Sequence, residues 1–142
     1  MDLDTLLNKN QKEAATYLDS HLRIIAGAGS GKTRVVTYRI AHLIQDVGID
    51  PRSILAISLT NKAANEMKER VNEVVGIHGS GTLICTIHSL CVRFLRQHIN
   101  VLNYPSNFTI MDEEDQKALI KKLYTQLEID AKVISIKSMI NT

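Results

Sequence analysis

Ala26, Gly27, Ala28, Gly29, Ser30 and Gly31, followed directly by Lys32 and Thr33, are residues of the types, and in the order, that hold polyphosphate. Glycines let a backbone curl until successive N–H groups point inward. A helix that starts at once adds the positive end of its dipole to the same cradle. Lys32 is then a mobile point charge for the β and γ phosphates, and the Thr33 hydroxyl is a ligand for Mg²⁺; these two carry the chemistry. The loop departs from the pattern G-x-x-x-x-G-K-[ST] at its first position, where Ala26 stands in place of glycine, with Gly27 and Gly29 beside it to keep the backbone free. An apolar run precedes the loop and a helix-period pattern follows it, which is the strand-to-helix setting a nucleotide-binding loop requires.

The elements that must position this loop are legible as alternating patterns. Residues 22–26 and 54–59 read as continuous apolar strands of the kind buried on both faces, and residues 83–86 as a shorter third. Between them Val36, Ile40, Leu43, Ile44 and Val47 share one helical face, and Ala63, Ala64, Met67, Val71 and Val74 share another. Leu90, Phe94 and Leu95 mark a third helix. Strand and helix in alternation predict an α/β fold around a parallel sheet, with ligands gathered at the carboxyl ends of the strands. Residues 76–81 read as a turn-rich connector in which His78 is solvated. After a break at residues 104–107, Asp112 is expected to cap a helix continuing through Leu127. Asp130 is expected to cap a last helix carrying Val133, Ile136 and Ile140, whose apolar face calls for a partner and suggests the amino-terminal piece of a longer polypeptide.

Composition narrows the class without choosing it. At 142 residues and 44% hydrophobic the chain can bury one core and the start of a second unit. A formal charge of +2 is too mild to demand nucleic acid, although a local basic groove is compatible with it. Cys85 and Cys91 have no partner at metal-ligand spacing and read as buried reduced thiols, which suits the cytoplasm. No apolar run reaches the roughly 18 residues of a membrane span, and Met1-Asp2-Leu3-Asp4 lacks the basic start of a signal peptide. The expectation is a soluble cytoplasmic protein with no membrane partner.

Three further stretches, in order along the chain, resemble superfamily 1 DNA helicases of the UvrD/Rep/PcrA type. Leu7-Asn8-Lys9-Asn10-Gln11-Lys12-Glu13-Ala14-Ala15 is similar to that family's glutamine motif. The resemblance implies that Gln11 reads the adenine edge, a task suited to an amide that both donates and accepts. Ile54-Leu55-Ala56-Ile57-Ser58-Leu59-Thr60-Asn61-Lys62-Ala63-Ala64-Asn65-Glu66-Met67 resembles the next motif, and implies single-stranded DNA at Thr60 and Asn61. Cys85-Thr86-Ile87-His88-Ser89-Leu90-Cys91 resembles the family's Thr-Phe-His-Ser stretch, and implies DNA contacts from Thr86 and His88. Leu59 and Ile87 stand where the family carries aromatics, so the base-stacking surface is reduced. The resemblance also places Arg34 near the nucleotide. As a whole it implies a RecA-like P-loop NTPase sheet with flanking helices over residues 1–111, the first motor domain, and the beginning of an inserted helical subdomain over 112–142. Its cofactors are ATP and Mg²⁺; its partners are single-stranded DNA and the remaining helicase domains, and its activity is ATP-dependent 3′-to-5′ translocation.

Phe108-Thr109-Ile110-Met111-Asp112-Glu113 looks like the acidic pair that ends a second strand in such ATPases, one carboxylate for the Mg²⁺ shell and one for water. Alignment with the family instead makes it a connector in which Asp112 caps a helix. The chain by itself is then expected to bind nucleotide far better than it turns it over. Two other readings compete: a self-contained P-loop kinase or ATPase using Asp112 and Glu113, and a non-catalytic module of a helicase-nuclease assembly. Lys117, Lys121 and Lys122 read as a solvated basic face.

Overall fold

A computed structural model describes residues 1–129 and 135–140. The elements run α1 (Leu3–Leu6), α2 (Lys9–Thr16), α3 (Lys32–Gln45), β1 (Leu55–Ser58), α4 (Asn61–Val75), β2 (Leu83–Thr86), α5 (Ile87–His98), α6 (Glu113–Gln126) and α7 (Ile136–Ile140). Single 3₁₀ turns cover Pro51–Ser53, Gly76–Gly79 and Ile99–Leu102. The chain divides into two compact units, Met1–Phe94 and Leu95–Thr142. Asp130 and Val133 lie outside the described residues, as does the side chain of Ile140.

In the first unit β1 and β2 pair in parallel, Leu55 opposite Leu83 and Ser58 opposite Thr86, with α4 as the crossover between them. Parallel neighbours need such a crossover because a hairpin cannot return the chain in the same direction. Ile40 and Ala41 of α3 and Met67, Val71 and Val75 of α4 close over Ile54 and Ala56, with Val36, Leu43, Ile44 and Ile84 packed around them. Two of the helical faces read from the sequence are therefore the faces that build this core. Val47 falls beyond the end of α3 and is exposed. The opposite side of α3 is apolar too: Val35 packs with Leu3, Leu7 and Ala15, so α3 is sandwiched between the sheet core and the α1–α2 hairpin.

Two strand expectations need correction. Residues 22–26 form no strand, and Leu22, Ile24 and Ile25 are exposed, Ile25 by 86%. A strand exists only through a hydrogen-bonded neighbour, and the described residues supply one pair of strands and no third partner. The strand at 54–59 shortens to Leu55–Ser58 and is buried on one face only: Ala56 points to the core, while Leu55 and Ile57 are about half exposed. Helices cover a single face of the sheet here, whereas a strand buried on both needs two layers. The thiols depart as well. Cys85 is half-buried and Cys91 is exposed, because α5 buries none of its residues.

In the second unit Arg96 organises the turn after α5. It donates to the carbonyls of Ser106 and Phe108 at 3.0 and 3.4 Å, and its guanidinium lies 5.0 Å from the Phe108 ring centre. Asp112 caps α6 as the sequence suggests: its Oδ1 accepts from the N–H groups of Glu114 and Asp115, both at 2.8 Å, and Asp115 returns the bond to the Asp112 N–H. Residues 108–111 form no strand. Among the described residues no helix is long and apolar enough to cross a membrane.

Candidate nucleotide and nucleic-acid site

The loop between the α1–α2 hairpin and α3 has the backbone its glycines allow. Gly29 and Gly31 sit at φ +76° and +83°, a region that residues with a Cβ rarely enter. Gly31 is also the N-cap of α3, and it has no side chain with which to satisfy the first N–H groups of that helix. A long helix thus opens onto the loop with its terminal donors and positive dipole end available to an anion. Lys32 folds back, its Nζ donating to the carbonyls of Gly27 and Ala26 at 2.7 and 3.2 Å. The Ser30 hydroxyl closes the turn on Gly27 at 2.8 Å. Thr33 lies exposed on the first turn of α3, a single hydroxyl of the kind that joins a Mg²⁺ shell whose other ligands are phosphates and water. Donor-rich backbone, an uncapped helix and a lysine held over the loop by two of its carbonyls fit a nucleotide polyphosphate with Mg²⁺.

Gln11 reaches this loop from α2. Asn8 and Gln11 form a reciprocal capping box: the Asn8 side chain accepts from the Gln11 N–H at 2.9 Å, and Gln11 Oε1 accepts from the Asn8 N–H at 3.1 Å. That fixes the amide, and its Nε2 donates to the Ser30 carbonyl at 3.0 Å. A Cβ at position 31 would stand 2.9 Å from the same Nε2, and φ of +83° favours glycine there on backbone grounds as well. Cavities of about 510 Å³ and 250 Å³ flank the contact, and Gln11 and Ser30 line both. Leu7, Gly31 and Arg34 border the first; Ile24, Ala26 and Lys32 border the second. Arg34 donates to the Leu6 carbonyl at 2.8 Å and lies 5.6 Å from the Tyr38 ring centre, which ties α1 to α3 at the cavity edge. Ala28 lies at the exposed tip of the loop.

The second cluster follows from strand register. Since Ser58 pairs with Thr86, the two strand-to-helix junctions lie side by side. Thr60 caps α4, its hydroxyl accepting from the Ala63 N–H at 3.1 Å. Thr86 is buried, and its hydroxyl meets Asn61 Oδ1 at 3.4 Å, the Ser89 hydroxyl at 2.9 Å and the Ser89 N–H at 3.2 Å. Asn61, Thr86 and Ser89 are thus one hydrogen-bonded group, with Thr60 and His88 exposed beside it. Thr86 orders the junction from within, leaving the outward-facing Thr60, Asn61 and His88 as the groups a strand of nucleic acid would meet.

Sequence reasoning missed two supports of the site. Asn8 could have been found, because Asn-x-x-Gln ahead of a helix is a capping signature. Arg39 could not: it donates from α3 to the carbonyls of Ala14, Ala15 and Tyr17, the last at 2.6 Å, closing the end of α2 from a distant segment.

A family model described as UvrD/REP helicase N-terminal domain matches residues 7–142. The chain is 47% identical over 126 residues to the ATP-dependent DNA helicase PcrA of Staphylococcus aureus (strain COL), a stretch covering 89% of this chain and 17% of that protein. It is 45% identical over 136 residues to the protein of the same name from Bacillus subtilis (strain 168), covering 96% and 18%. The chain spans less than a fifth of the length of these curated relatives.

Proposed function

Because this chain belongs to the UvrD/REP helicase N-terminal domain family, we propose that it is the ATP-binding domain of an ATP-dependent DNA helicase that moves 3′ to 5′ along single-stranded DNA. Residues 1–111 form a RecA-like first motor domain and residues 112–142 begin a helical insertion. Gly27 to Gly31 with the start of α3 hold the polyphosphate, Lys32 neutralises its β and γ oxygens, Thr33 and the phosphates share Mg²⁺, and Gln11 reads adenine. Thr60, Asn61 and His88 face the DNA strand, and Thr86, bonded to Asn61 and Ser89 behind them, completes the track. The observation that carries this reading is the Gln11–Ser30 hydrogen bond, which ties a candidate base reader to the phosphate loop at the mouth of an uncapped helix. Asp112 spends its carboxylate on the cap of α6, which favours the connector over a self-contained kinase.

The test is calorimetric titration of the chain with ATP and Mg²⁺, beside Lys32→Ala. Binding that weakens at least about tenfold in the variant, a loss of roughly 1.4 kcal/mol, supports the reading. Undetectable binding by the wild-type chain, or equal affinity in the variant, sinks it. Steady-state turnover by this chain is expected to be poor, since phosphoryl transfer calls for a carboxylate at the Mg²⁺ shell and Asp112 is spent on the cap of α6.

A further inference from the structure

Among the described residues β2 pairs with β1 alone. Against β2 lies a polar groove of about 390 Å³, bordered by Leu83, Ile84 and Cys85 of the strand, Lys68 of α4, and Ser89 and Arg93 of α5, with no residue of β1. Lys68 and Arg93 are exposed, and among the described residues neither has an ion-pair or hydrogen-bond partner. The Thr82 hydroxyl in the same wall is buried and likewise unpartnered among the described residues. Two uncommitted cations over an open strand edge make a concavity for an anion, because alternate backbone groups of an edge strand face outward with nothing to bond.

Continuity identifies the anion. Ser89 borders the groove and is hydrogen-bonded to Thr86, which in turn meets Asn61. The groove therefore prolongs the proposed DNA track from the carboxyl end of β2 toward its amino end, a path of about 13 Å for four strand residues. We propose that this groove is a further backbone subsite, in which Lys68 and Arg93 each neutralise a phosphodiester of the strand that leaves Thr86 and His88. This rests on the reading of the Thr60–His88 cluster as a DNA track. No base is read here, so the contact adds affinity without sequence preference.

The experiment is fluorescence anisotropy of a labelled oligothymidylate across a salt titration. It compares the wild-type chain, Lys68→Gln/Arg93→Gln, the charge-keeping Lys68→Arg/Arg93→Lys, and Thr86→Ala/His88→Ala, each checked by circular dichroism. Removing both charges is expected to make the slope of log affinity against log salt shallower by about 1.4, at roughly 0.7 per single-strand phosphate contact. The charge-keeping pair should retain the wild-type slope, which a merely structural effect of replacing these side chains would not produce. An unchanged slope in the glutamine pair, with binding lost in Thr86→Ala/His88→Ala, overturns the groove and spares the track. Failure of the wild-type chain to bind overturns both. A phosphoserine peptide that binds wild type but not the glutamine pair, with the DNA slope unmoved, assigns the groove to a protein partner and overturns the proposal.

Discussion

At Gln11 one side chain serves as helix cap and candidate base reader. Its Oε1 is held by the Asn8 N–H, while Nε2 rests on the Ser30 carbonyl, so an adenine edge would take a position now filled by the loop itself. Gln11→Ala is expected to erase the preference for ATP over GTP and CTP, and to loosen α2 by about 1 kcal/mol through the lost capping box. Asn8→Ala breaks the same box but keeps the amide, and is expected to cost similar stability while sparing the preference. Competition binding with the three nucleotides separates them, and a retained preference in Gln11→Ala removes the residue from the base site.

At the scale of the element, caps decide where helices begin. Asp112→Ala removes the acceptor for two N–H groups of α6 and is expected to cost about 1 kcal/mol. Amide exchange should quicken at Glu114 and Asp115, while ATP affinity stays unchanged; a loss of nucleotide binding would instead return Asp112 to the active site. That cap was legible because its partners lie two and three residues away. The same locality made the start of α3 after its glycines, β2 and the core faces of α3 and α4 readable from spacing alone. What could not be read depends on other segments. Residues 22–26 have the composition of a central strand and, among the described residues, no neighbour to pair with, and composition carries no information about that neighbour. Arg39 finds its carbonyls 22 to 25 residues away, with nothing in the local pattern to announce it. Thr86 reads as a DNA contact from resemblance; its burial and its bonds to Asn61 and Ser89 depend on the pairing of two strands and could not be read from spacing.

At the scale of the whole chain, stability is carried by a small core. Val71 is fully buried between the sheet and its helices, and Val71→Ala should cost about 2 kcal/mol for two lost carbon groups and the space they leave, read as a lower midpoint in urea. Acid should act through Asp46, whose carboxylate accepts from His42 at 2.8 Å and from the terminal amino group at 3.0 Å. The His42 bond, first, and the amino group, second, hold its pKa below the usual carboxylate range. A depressed folded-state pKa contributes stability that is complete above about pH 4 and disappears as pH falls through the folded value. Unfolding free energies of wild type and Asp46→Asn should therefore converge as the solution is acidified below that range, and a constant gap down to the acid limit would exclude the contact. The uncovered face of the sheet has a consequence for the handling of the chain. Leu55 and Ile57 stand half exposed and Leu59 almost wholly so, on a strand pair that has no further strand among the described residues. Apolar surface next to unpaired strand edges favours self-association. Sedimentation velocity across a hundredfold range of concentration is expected to show a rising mean mass, and a constant mass would exclude association through this face.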